Sequence, residues 1–137
     1  MEDEILVSKV DYSKLNSMIL NLLESSDSNM LELNRLNIEI KRATLVDPWK
    51  IHPQCVTMNS IVKLTHLGTG ASETIRLVYP NESGFTEKTI SVLSPLGCAL
   101  LGYSKGHTVS FNTSEGRQRV IIDEIIFQPE AHGEDLQ

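Results

Sequence analysis

Ser94-Pro95-Leu96-Gly97-Cys98-Ala99-Leu100-Leu101-Gly102-Tyr103-Ser104-Lys105-Gly106 is the stretch around which the rest of the chain can be placed. Ser94 is a good N-cap acceptor, and Pro95 suits the first helical position, where an N–H would go unpaired in any case. Gly102 follows the apolar run Ala99-Leu100-Leu101, where a left-handed C-cap is wanted. Gly106 then allows a tight turn into the next apolar stretch. The spacing predicts a short helix, fixed at both ends, that joins β-strands.

Working outward, both flanks read as strand. Upstream, Val56, Met58, Ser60, Val62 and Leu64 alternate with polar positions, and Gly68-Thr69-Gly70 supplies a turn into Thr74–Tyr79, which Pro80 stops. Asn81-Glu82-Ser83-Gly84 reads as loop, and Lys88–Leu93 as a strand leading into Ser94. Downstream, Thr108–Asn112 and Gln118–Phe127 form a pair joined through Ser114-Glu115-Gly116.

Nearer the N-terminus the period becomes helical. Leu15, Met18, Ile19 and Leu22 fall at i, i+3, i+4 and i+7, with Asp11 or Ser13 available as the cap. Met30, Leu33, Leu36, Ile40 and Ala43 form a second stripe, with Glu32, Arg35 and Glu39 off it. The polar run Glu24–Ser28 between the two predicts a short antiparallel helical hairpin. Each helix has about 12–16 residues, hence a length of about 18–24 Å. Ile5-Leu6-Val7 reads as a short strand or an extended lead-in. Leu45–Pro53, with two prolines and no period, reads as a linker. Helices followed by strands indicate an α+β fold in two parts, residues 1–53 and residues 54–137.

The 137 residues suffice for one substantial core. The formal charge is −6, and residues 1–50 and 51–137 each hold nine acidic and six basic side chains. An evenly acidic chain disfavours autonomous nucleic-acid binding, which relies on neutralising phosphates with Lys and Arg; no direct sequence-specific nucleic-acid contact is expected. Cys55 and Cys98 lie far apart with no CxxC pattern, as in a reducing compartment. The start, Met1-Glu2-Asp3-Glu4, is acidic where a signal peptide would be basic, and no apolar run approaches the ~20 residues of a membrane span. The chain thus reads as cytoplasmic, without a membrane partner.

Candidate chemistry is sparse. His52, His66, His107 and His132 are scattered singly, without ligand spacing, so no metal site is expected. Cys55 and Cys98 read as packed small side chains rather than nucleophiles. Gly68-Thr69-Gly70 and Gly97–Gly102 lack the strand–loop–helix context of a phosphate loop, so no nucleotide cofactor is expected. Glu24 and Asp27 at the hairpin tip are the only candidate carboxylate pair for a cation, but they are not adjacent and lie on a Ser-rich loop, where a solvated helix end is the simpler reading. No triad or carboxylate dyad suggests catalysis.

The Ser94–Gly106 string resembles the C-terminal domain of the Gre transcription elongation factor family. Val56–Val62, Leu77-Val78-Tyr79-Pro80, Ile90–Gly97 and the tail Gln128-Pro129-Glu130 extend the resemblance over about residues 54–132. It implies an FK506-binding-protein-like domain, a curled antiparallel β-sheet with one short helix, that docks at the rim of the secondary channel of RNA polymerase. Ser94 and Pro95 match the family's docking turn, with Leu93 where Gre factors often carry an acidic residue. Lys105 and Tyr103 are further candidates for polymerase contact. In Gre factors a long coiled coil enters the channel and two adjacent acidic tip residues help bind the metal that cleaves backtracked RNA. Here the hairpin is short and Glu24-Ser25-Ser26-Asp27 lacks the adjacent pair.

The expectation is therefore a non-catalytic polymerase-binding regulator that competes with Gre factors. Two alternatives stand beside it. One is a true cleavage-stimulating factor using Glu24 or Asp27. The other is an FK506-binding-protein-like peptidyl-prolyl isomerase, for which Tyr12, Trp49, Tyr79, Phe85, Tyr103, Phe111 and Phe127 are the available aromatics. Fold analogy alone does not carry the latter.

Overall fold

A computed structural model describes residues 5–24, 30–80, 82 and 88–132. Along the chain run β1 (Leu6–Ser8), α1 (Lys9–Leu23), α2 (Met30–Arg42), β2 (Thr44–Val46), β3 (Ile61–His66), β4 (Ser72–Val78), β5 (Lys88–Ser91), α3 (Pro95–Leu100), β6 (Thr108–Thr113) and β7 (Gly116–Phe127). Single 3-10 turns occupy Pro48–Lys50 and Pro129–His132. The architecture is α+β, with three helices and a five-stranded sheet in the order β5-β4-β3-β7-β6.

That sheet is mixed, which corrects the antiparallel expectation. β3–β4, β3–β7 and β6–β7 are antiparallel, but β4 and β5 are parallel, with Ile75 opposite Lys88 and Val78 opposite Ser91. β5 therefore runs in the same direction as β4, beside its second half. Two register shifts between β3 and β7 mark irregular pairing of the kind that curls a sheet.

The capped helix forms where its local chemistry places it. Ser94 Oγ accepts from the Gly97 amide at 3.0 Å and donates to the Ser91 carbonyl at 2.7 Å. Gly102 follows at φ +88°. Upstream, the cap of α1 lies three residues before Asp11 and five before Ser13: Ser8 is the N-cap, its side chain accepting from the Asp11 amide at 3.0 Å. Asp11 turns inward, where its carboxylate accepts from the Met58 amide at 3.2 Å. Leu15 and Ile19 of α1 and Leu33, Leu36 and Ile40 of α2 are buried, while Met18 and Leu22 are half-buried. Lys41 donates to Tyr12 Oη at 2.8 Å and Asn16 Oδ1 at 3.1 Å, so the end of α2 lies beside the start of α1.

Two segments differ from their reading. Leu45 and Val46, read as the start of a linker, belong with Thr44 to a strand paired in parallel with β1 from Leu6↔Thr44 to Ser8↔Val46. Three residues are too few to show a period, and the partner is distant in sequence. Residues 56–60 alternate in composition but lie outside the sheet. Asn59 adopts φ +68°, and Val56, Thr57, Met58 and Ser60 are all buried. Their polar groups are paired internally: Thr57 N–H donates to Ser60 Oγ, and Thr57 Oγ1 to Glu130 Oε1 at 2.7 Å.

The core is one contiguous cluster, running from Leu15, Ile19, Leu36 and Ile40 through Met58 and Leu100 to Val62, Leu77 and Ile122. No described helix is long and apolar enough to cross a membrane.

Candidate functional site

Between α2, α3 and β6 lies an open cleft of about 340 Å³. α3 contributes Pro95, Cys98 and Ala99, and α2 contributes Arg35 and Glu39 from the side that the apolar stripe left over. Tyr103 follows from the loop after α3. The remaining wall is five consecutive residues of β6, Thr108 to Asn112, with Arg117 from β7.

A polar relay ties this cleft together. Arg42 grips Glu39 with two hydrogen bonds of 3.1 and 3.0 Å, and its Nη2 also donates to Tyr103 Oη at 3.0 Å. The Glu39 bond, opposed by partial burial, raises the affinity of the Arg42 guanidinium for its proton. Tyr103 thus joins the helical pair to the loop that follows α3, and it packs edge-on against His107 with ring centres 5.7 Å apart.

The residues expected to contact a partner separate into different roles. Ser94 is spent on the cap. Pro95 and Tyr103 both line the cleft. Lys105 is exposed on the same loop, with its amide bonded to the Gln54 carbonyl at 2.9 Å. Gly97 abuts the Ser91 carbonyl so closely that a Cβ there would collide with it, which fixes α3 against the end of β5. Glu24 is exposed at the end of α1, and Asp27, the other tip residue, lies outside the described residues, as do Asn81, Ser83, Gly84 and Phe85. Of the described aromatics only Tyr103 and Phe111 border the cleft.

Neither thiol is primed for nucleophilic work. Burial pushes both Cys55 and Cys98 up to about 12, far from the thiolate form that reacts. Cys55 Sγ sits within 3.4 Å of the Gly102 carbonyl, a packed position beneath the loop. Among the described residues no three His, Cys, Asp or Glu side chains gather as a metal site. His66 instead meets Glu73 at 2.6 Å on the sheet surface, and His52 accepts from the Gln54 amide.

Sequence patterning did not reveal Arg35, Glu39 or Arg117 as site residues, and it offered Phe111 only as one of seven aromatics available for a pocket. Arg35 and Glu39 carried one signal, their common exclusion from the apolar stripe of α2. The others enter only because β6 and β7 bring them beside α3.

Residues 50–127 match the family described as transcription elongation factor GreA/GreB, C-terminal domain. A protein named regulator of nucleoside diphosphate kinase from Escherichia coli K12 is 29% identical over 133 residues, covering 96% of each chain. Transcription elongation factor GreA of Maridesulfovibrio salexigens is 34% identical over 100 residues, 72% of this chain and 62% of that protein. Among solved structures, the prokaryotic transcription elongation factor GreA/GreB from Nitrosomonas europaea superposes with a TM-score of 0.72 at 31% identity, covering 90% of this chain and all of that one.

Proposed function

The chain belongs to the GreA/GreB family, and on that premise we propose that it is an RNA polymerase-binding regulator of transcription. It docks at the rim of the secondary channel through the loop carrying Ser94, Pro95, Tyr103 and Lys105, and so competes with Gre-type factors without stimulating transcript cleavage. On this reading residues 54–137 are the FK506-binding-protein-like docking domain and residues 1–53 a helical hairpin and linker. The protein works with polymerase in the cytoplasm and is not itself an enzyme.

The observation that carries the reading is the pairing of a family-wide match over residues 50–127 with short helices. α1 has 15 residues and α2 has 13, hence lengths of only about 22 and 20 Å. The family match supports a docking half, and helices of this length give little reach into a channel. The match to the Escherichia coli regulator of nucleoside diphosphate kinase over 96% of both chains supports a regulatory role for the chain as a whole.

The test uses backtracked elongation complexes with Mg²⁺. The expected result is unchanged RNA in the presence of this protein alone, and inhibition of cleavage stimulated by an added Gre factor. Vigorous cleavage that disappears in a Glu24→Ala/Asp27→Ala variant would overturn the reading in favour of a cleavage-stimulating factor.

A further inference from the structure

The outer edge of β6 is the unusual feature of the cleft. β6 is the last strand of the sheet, and its inner side pairs with β7 from Thr108↔Ile121 to Thr113↔Gly116. Around the two-residue turn Ser114-Glu115, the Thr113–Gly116 pair exchanges hydrogen bonds, and alternation repeats this at Phe111 and Val109. The bond from Ile122 N–H to the His107 carbonyl at 2.9 Å keeps the same phase at the far end. The amides and carbonyls of Thr108, Ser110 and Asn112 therefore point away from β7.

Edge strands are usually protected by shortness, charge or proline. β5, at the other edge, has four residues and begins with Lys88. β6 has six residues, Thr-Val-Ser-Phe-Asn-Thr, with neither charge nor proline. All of Thr108 to Asn112 border the cleft, so the space runs along the strand.

The charges around that space have one dominant sign. Glu39, the carboxylate on its wall, is already held by Arg42. Arg35 and Arg117 also border the cleft, and neither has an ion pair among the described residues. Tyr103 and Phe111 supply apolar surface between them.

We propose that this cleft binds an extended acidic segment of a partner protein, which adds to β6 as a sixth strand. Main-chain bonds to Thr108, Ser110 and Asn112 supply the pairing, and Arg35 and Arg117 select carboxylates. The six residues of β6 accommodate a segment of about 20 Å. The partner is identified by its chemistry, and the inference stands whether or not the chain docks on RNA polymerase.

The full-length protein is used to select binders from a library of random peptides about ten residues long displayed on phage. The best binder is then titrated into isotope-labelled protein. The expected peptides are rich in Asp and Glu, and they shift and protect the amides of Thr108, Ser110 and Asn112. Arg35→Ala/Arg117→Ala should weaken binding at least about tenfold, a loss of about 1.4 kcal/mol. Ser110→Pro removes an outward donor without touching the ladder and should weaken it similarly; the arginine variant keeps the test decisive if the proline variant does not fold. Failure to select acidic peptides, or a selected peptide that binds both variants like the parent, overturns the proposal. So does a shift of these amides by single-stranded RNA or by rising protein concentration when acidic peptides leave them unmoved.

Discussion

Ser94 shows how much one hydroxyl can organise. It accepts from Gly97 and donates to the Ser91 carbonyl, so it closes the start of α3 and ties it to the end of β5. Ser94→Ala is expected to destabilise the protein by about 0.5–2 kcal/mol, the range for losing a side-chain N-cap. Urea titration of both proteins measures it, and an unchanged midpoint would mean that the cap contributes nothing. For the two cysteines the expectation is resistance. With both thiols held near 12, iodoacetamide at about pH 8 should leave the folded protein unlabelled and modify both residues in denaturant. Mass spectrometry distinguishes these outcomes.

Elements whose ends are set by neighbours in sequence were legible beforehand; those defined by distant partners were not. α3 could be read from Ser94, Pro95 and Gly102 because a cap is local chemistry. The β6–β7 hairpin could be read from its turn and its alternation. β2 could not, because its strand character rests on pairing with Leu6–Ser8. Residues 56–60 misled because burial on every side, rather than a pleat, makes Val56 and Met58 apolar. The cleft was invisible for the same reason as β2: α2, α3 and β6 meet only in the fold. At the sheet surface, β3, β4 and β5 are linked by Glu73. Burial acts against its charge, but hydrogen bonds from His66 at 2.6 Å and Lys88 at 3.0 Å outweigh it, and the carboxyl lies below its ordinary range. A depressed carboxyl contributes stability above its unfolded value, about 4.3, and loses it as pH falls through the lower folded value. The wild type should therefore exceed Glu73→Gln in denaturation midpoint at neutral pH. Below the folded value the difference should vanish. A gap that persists in acid would assign the effect to packing.

Across the whole molecule, one core runs from the helical pair into the sheet. The Met58–Asp11 and Leu6–Gly102 contacts cross the same junction. Unfolding should accordingly be a single cooperative transition. Far-ultraviolet dichroism and the near-ultraviolet signal of the tyrosines should trace superimposable curves, whereas two separated midpoints would show that the helices melt alone. The β1–β2 pairing has a consequence for engineering. It fastens the start of α1 to the segment just after α2, so the opposite ends of the two helices are free of that fastening. Seven-residue insertions, made in both helices near those ends, would preserve the apolar stripe and lengthen each by about 10.5 Å. Reach thus becomes an adjustable dimension of the protein, separable from the rest of the fold, and a graded series of such insertions could serve as a molecular ruler.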